Sequence, residues 1–200
     1  MNINKKKIHL SLLFLVLLHI LSLGVLSETF YTKTLEKACS LQDGSGCSDL
    51  GALYNFGTGV KQDYFKAKEY FEKACNLKNG SGCFNLGALY DSGNGVKQDY
   101  SKAEEYFEKA CNLQDGSGCS SLGALYCLGN GVKQDSFKAK EYFEKACNLQ
   151  DGLGCLGLGA LYDSGTGVKQ DSFKAKEYYG KACDLKYQEG CTKYAELNAE

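Results

Sequence analysis

Eleven cysteines are the residues of this chain best equipped for chemistry, and ten of them fall into five pairs with seven residues between partners. The pairs are Cys39 with Cys47, Cys75 with Cys83, Cys111 with Cys119, Cys147 with Cys155 and Cys183 with Cys191, recurring every 36 residues. Thiols so arranged can close disulfides or hold a metal. Zinc sites use Cys-x-x-Cys spacings or nearby histidines, whereas here the spacing is regular Cys-x7-Cys and both histidines, His9 and His19, lie near the start of the chain. The pattern reads as a disulfide framework with no metal and no cofactor, and such frameworks belong to exported proteins.

The beginning of the chain agrees with export. Lys5, Lys6 and Lys7 precede an apolar run from Ile8 to about Leu26, and the sequence turns polar at Glu28, which is the composition of a secretory signal. Residues 1–27 are read as that signal, cleaved after Ser27, of bacterial Sec type, for a secreted or periplasmic protein. The alternative is an uncleaved anchor, interrupted by His9, Ser11, His19 and Ser22. Cleavage removes three lysines and no acid, leaving 20 basic against 24 acidic residues and a net charge of −4. Scattered lysines balanced by carboxylates do not form the basic stripe required for nucleic acid or an anionic membrane. No nucleic-acid partner and no stable membrane insertion are expected.

The same cleavage removes every histidine and the single methionine, and the rest of the chain has no Arg, Trp or Pro. Acid–base or nucleophilic catalysis would therefore have to use Lys, Glu, Tyr, Ser or the odd cysteine, Cys127. With no neighbouring histidine or arginine to lower its pKa, Cys127 is not placed as a catalytic thiol. It stands where the other copies have Asn55, Asp91 and Asp163, is expected to face solvent, and could bridge two chains into a dimer.

A period of 36 residues indicates stacked helical hairpins. Residues 28–45 form a half-repeat, 46–81, 82–117, 118–153 and 154–189 four full copies, and 190–200 a capping helix. In the second helix, from about Tyr64 to Leu77, Ala67, Tyr70, Phe71, Ala74 and Leu77 share one apolar stripe. Lys66, Lys68, Glu69, Glu72 and Lys73 cover the other face, with Glu69 placed to pair with Lys73. Asp63, Asp99, Asp135 and Asp171 are its predicted N-caps. The first helix, from about Gly46 to Phe56, is expected to be capped by Ser45 and stopped by Gly57. Gly51, Gly87, Gly123 and Gly159 sit inside it, at a cost of about 1 kcal/mol each relative to alanine, so close helix approach is the expected compensation. Each cysteine pair staples the end of one copy to the start of the next. At the end of the chain the Leu-Gly-Ala-Leu-Tyr segment becomes Tyr194, Ala195, Glu196, Leu197 and Asn198, whose polar groups stop the stack.

The Gly-x-Gly-Val-Lys-Gln-Asp loop lacks the strand and the remaining residues of a phosphate-binding motif. Asn79-Gly80-Ser81 fits a glycosylation acceptor only by virtue of the Gly-Ser words that recur at this point of each copy.

From Gly46 to about Cys191 the recurring words LGALY, G-x-GV-x-QD, KA-x-EY and KAC resemble the Sel-one-like repeat, a relative of the tetratricopeptide repeat. With its 36-residue copies and Cys-x7-Cys staple the chain is most similar to the secreted Helicobacter cysteine-rich proteins. The resemblance implies an all-α, right-handed α/α superhelical solenoid. It also implies penicillin binding with slow β-lactam hydrolysis, and interaction with partner proteins, including host immune components. The residues give the hydrolase no separate support: Ser-x-x-Lys, Ser-Asp-Asn and Lys-Thr-Gly do not occur, and a zinc hydrolase would use histidine ligands.

Positions that differ between near-identical copies mark where the fold leaves freedom. In the first helix they are Ser48, Asp49, Asn55 and Phe56, then Phe84, Asn85, Asp91 and Ser92, then Ser120, Ser121, Cys127 and Leu128, then Leu156, Gly157, Asp163 and Ser164. This ribbon is read as a concave recognition surface, with Phe56, Phe84, Leu128 and Leu156 as apolar anchors and Asn85, Asp91 and Asp163 as polar selectors. Tyr54, Tyr90, Tyr126 and Tyr162 are read as packing residues. The expected function is recognition of a protein, peptide or glycan, which includes host proteins and cell-wall material. The alternatives are a β-lactam-binding or weakly hydrolysing protein and a structural envelope component.

Overall fold

A computed structural model describes residues 30–199, so residues 1–27, read above as a secretory signal, lie outside the described residues. The described chain is helical and turn, with no strand. Helix α1 covers 30–40. It is followed by α2 (Gly44–Phe56), α3 (Tyr64–Asn76), α4 (Gly80–Ser92), α5 (Tyr100–Asn112), α6 (Gly116–Leu128), α7 (Ser136–Asn148), α8 (Gly152–Ser164), α9 (Ser172–Asp184) and α10 (Gln188–Ala199). Even-numbered helices up to α8 are the first helices of hairpins and the odd-numbered ones that follow are the second.

Capping sets the boundaries. Asp63 accepts the backbone N–H of Phe65 and Lys66, Asp135 repeats this with Phe137 and Lys138 on α7, and Asp99 and Asp171 cap α5 and α9 by accepting from Lys102 and Lys174. The first helices begin two residues earlier than the sequence suggests. Asp43, not Ser45, caps α2, and Asn79, Asp115 and Asp151 cap α4, α6 and α8. The tight turn sits before the Gly-Ser-Gly word, on residues with left-handed φ near +60°: Gln42, Lys78, Gln114 and Gln150. Gly57 ends α2 with φ +72° and donates its N–H to the Leu53 carbonyl, as expected of a left-handed C-cap.

The core lies between the helices of each hairpin and between neighbouring hairpins, around Leu50, Phe71, Leu86, Phe107, Leu122, Phe143, Leu158 and Tyr179. The helical glycines act as contact points. A Cβ on Gly51, Gly87 or Gly159 would come within 2.7 Å of the ring of Phe71, Phe107 or Tyr179. One on Gly82 would meet the Ala74 Cβ at 2.4 Å, directly beside the Cys75–Cys83 bridge. All five predicted disulfides close, and each joins the end of a second helix to the following first helix. Ala195 in α10 occupies the register of those ring-contact glycines, so the last first-type helix lacks the slot that receives an aromatic ring.

The surface ion pairs alternate between two registers. The predicted Glu69–Lys73 pair is replaced in the first copy by Lys68–Glu72, and the third copy likewise uses Lys140–Glu144. The predicted register holds in the second and fourth copies, as Glu105–Lys109 and Glu177–Lys181. There Glu104 and Gly180 remove one member of the other pair.

Successive first helices pack directly on one another, whereas successive second helices meet at most marginally. The stack therefore curves with the first helices on its inner side.

Candidate recognition surface

The varied residues of the first helices separate into two stripes about 100° apart. One stripe turns toward the aromatic residue of the second helix. Ser48, Ser120 and Leu156 are buried, and the half-buried Phe84 ring lies 5.9 Å from that of Phe107. Seven residues on, the Tyr179 hydroxyl donates to Asp163 Oδ2 at 3.3 Å, and Asn55 Oδ1 is buried without a hydrogen-bond partner. Burial pushes the Asp91 carboxyl above its ordinary range. Cys127 is half-buried against the cluster of Phe143, Leu158 and Leu161, not turned fully to solvent. Phe84 and Leu156 therefore build the core and are not exposed anchors; residues at this register face the second helix. Asp91 and Asp163 are withdrawn with them.

The other stripe stays open on the inner face. Asp49, Phe56, Ser92, Leu128 and Ser164 are exposed, while Asn85, Ser121 and Gly157 are half-buried between helices. Phe56 retains 73% of its surface and Leu128 67%. Between them run Ala52, Ala88 and Ala124, half-buried, and Ala160, exposed. The sequence reading passed over these alanines because they do not vary; their spacing of three from Asp49 and its equivalents was the available signal. Ser45, Ser81, Ser117 and Leu153 extend the stripe at the helix starts. Ser81 and Ser117 donate to Asp115 Oδ2 at 3.0 Å and Asp151 Oδ2 at 3.3 Å, tying α4 to α6 and α6 to α8.

The recurrent tyrosines pack within each hairpin, as expected. Tyr54–Tyr70, Tyr90–Tyr106, Tyr126–Tyr142 and Tyr162–Tyr178 stack with centroids 5.6–5.7 Å apart. Lys66, Lys102, Lys138 and Lys174 cover the first ring of each pair at 4.7–5.0 Å. Tyr126 also donates to Glu104 Oε1 at 2.6 Å across the joint between hairpins, which raises its pKa strongly. Asn79 is engaged as the cap of α4, accepting from Gly82 N–H at 2.7 Å.

Among the described residues no group of His, Cys, Asp and Glu side chains could hold a metal, and no helix is long and apolar enough to cross a membrane. The inner stripe carries small, mostly uncharged side chains with two large apolar ones, an arrangement for contact. Five disulfides place the chain in an oxidising, extracytoplasmic compartment.

Curved stacks of stapled helical hairpins with an open inner face form the solenoid class of repeat proteins, whose fold suits protein interaction. Within that class the chain belongs to the Sel1 repeat family: the family model matches residues 44–79, 80–115, 116–151 and 152–187. Among solved structures it is similar to a Sel1 repeat protein from Oxalobacter formigenes (27% identity, TM-score 0.72, covering 84% of this chain and 76% of that one). It is also similar to cysteine-rich protein B of Helicobacter pylori (39% identity, TM-score 0.54, covering 68% of this chain and 98% of that one). A third similar structure is a protective antigen of uropathogenic Escherichia coli (28% identity, TM-score 0.73, 80% of this chain), of whose length the match covers 34%. Comparison with curated proteins finds no relative by sequence.

Proposed function

We propose that the protein is an exported recognition scaffold that holds a protein partner against its inner face, with Phe56 and Leu128 as anchors and Asp49, Asn85, Ser92, Ser121 and Ser164 around them. One observation carries this reading: Phe56 and Leu128 stand exposed on the open stripe of the first helices, beside the alanines that recur in every copy. A large apolar side chain left exposed on such a surface is the usual form of an interface anchor. The β-lactam reading comes from the family resemblance alone; inner-face Ser45, Ser81 and Ser117 bond to carboxylates of helix caps and no lysine stands beside them on the stripe.

The test is cross-linked capture from an extracellular or periplasmic extract, comparing the oxidised protein with a Phe56→Asp/Leu128→Asp variant of matched thermal stability. A partner taken by the first and lost by the second supports the inner face. A partner retained equally by both overturns it.

A further inference from the structure

Counted along the chain, the charges balance; in the fold they do not mix evenly. The loops that close each hairpin place Lys61, Lys97, Lys133 and Lys169 on one edge of the stack, next to Lys66, Lys102, Lys138 and Lys174. All eight are exposed. None forms an ion pair, whereas Lys68, Lys109, Lys140, Lys181 and Lys193 pair with glutamates of their own helices. The carboxylates on this edge, Asp63, Asp99, Asp135 and Asp171, accept N–H groups at the starts of their own helices. Eight lysines against these four carboxylates leave a positive excess along one line.

That line is grooved. Tyr54, Lys61, Phe65, Lys66 and Gly95 border a cleft of about 640 Å³. Its neighbour, of about 700 Å³, shares Phe65 and Gly95 and adds Lys68, Tyr90, Lys97 and Lys102. The third cleft repeats the set with Tyr126, Lys133, Phe137 and Lys138, but Glu104 takes the place of Lys68. Neighbouring copies touch here through loop glycines: a Cβ on Gly95 would lie 2.3 Å from that of Tyr64, and one on Gly131 2.1 Å from that of Tyr100. The clefts are therefore fixed in register with the helices.

We infer that this edge binds a linear acidic polysaccharide, a carboxylate to each cleft, with the paired lysines on the acid and the exposed Phe65 and Phe137 against the sugar rings. The lysine pair and the tyrosine recur from cleft to cleft, which favours a polymer carrying charge at regular intervals; the varied inner face has the opposite character. Lys61, Lys97, Lys133 and Lys169 are exposed and make no side-chain hydrogen bond, ion pair or ring contact, so no such contact accounts for their recurrence in all four copies. Stacked nucleobases fit less well. Each cleft tyrosine is already stacked on another tyrosine and has a lysine over its ring, and Ser101 interrupts the row of exposed phenylalanines. The surface is separate from the inner face and does not rest on that reading.

The probe is oligogalacturonate in a length series, titrated calorimetrically into the oxidised protein. Affinity should rise with length as successive clefts are engaged and fall with added salt. Lys97→Ala/Lys102→Ala should weaken binding on the order of tenfold by losing two charge contacts, and Lys97→Ala alone, whose side chain is exposed and forms no ion pair, should weaken it by a smaller factor. Lys73→Ala/Lys145→Ala removes the same charge from outside the clefts and should leave binding unchanged. The inference is overturned by an absence of binding, by equal affinity for the single acid and the polymer, by an equal loss in the control variant, or by tighter binding of poly-glutamate or single-stranded DNA of the same charge.

Discussion

Gly123 stands against the ring of Phe143 so closely that a β-carbon placed on it would lie 2.5 Å from the ring Cδ1. Alanine at this position would gain about 1 kcal/mol of helix propensity and meet an overpacking cost of about 1–3 kcal/mol in a core that cannot expand. The second effect wins because the ring belongs to a fully packed layer. Gly123→Ala should destabilise the protein by about 1–2 kcal/mol in urea titration, and adding Phe143→Leu should restore part of the loss. A stabilised single variant would show that the glycine answers some other need.

The Cys111–Cys119 bridge joins α5 to α6 in the middle of the stack, with both residues buried. Closing so short a loop limits the unfolded chain by about 2.5 kcal/mol in the loop-entropy model. Cys111→Ala/Cys119→Ala should therefore lose at least that much, the cavity left by the sulfurs adding to it. The equivalent change at Cys183–Cys191, which holds only the final helix, should fray the end and cost less. Urea midpoints and hydrogen exchange of α10 distinguish the two; equal global losses would refute the difference in position.

Much of this architecture could be read before any coordinates, for a physical reason: four copies of one unit reveal which positions are fixed. Disulfides, helix pairs and second-helix caps follow from spacing that repeats. What could not be read were choices between adjacent residues. Ser45 and Asp43 are both good caps, and only a left-handed Gln42 decides between them. Phe84 and Asn85 vary together, yet one helical step turns the first into the core and leaves the second at the groove. Sequence variation marks freedom but not direction. The basic edge was missed because charge was counted along the chain, where lysines alternate with carboxylates that the fold later uses as helix caps.

Tyr179 replaces the phenylalanine of the other copies, and burial together with the Asp163 carboxylate pushes its pKa up to about 12. An acid whose folded pKa exceeds its unfolded value near 10 stabilises the fold while protonated in both states. Above pH 10 the unfolded chain loses that proton first, so stability falls between about pH 10 and 12. The shift corresponds to on the order of 2–3 kcal/mol. Tyr179→Phe should flatten this part of the curve, since Asp91 already sits opposite a phenylalanine. The comparison is made by thermal denaturation in a Cys127→Ser background, so that no free thiol attacks the bridges at high pH. Identical alkaline slopes in the two proteins would remove Tyr179 as the cause.

Leu128 and Leu156 give the sharpest separation of the two stripes, because sequence reading assigned both the same role. Leu128 is 67% exposed on the inner face, and Leu156 is 9% exposed against the α9 layer. Leu128→Asp places a charge in water and should change the midpoint of denaturation by less than about 0.5 kcal/mol. Leu156→Asp buries an unpaired carboxylate beside Tyr179 and should cost more than about 3 kcal/mol, enough to unfold the last hairpin or raise that carboxyl's pKa far above its usual range. Circular dichroism and urea titration of the two variants decide the matter. Equal stability would return Leu156 to the recognition surface, whereas the expected split leaves the inner face to Phe56 and Leu128 and assigns position 156 to packing.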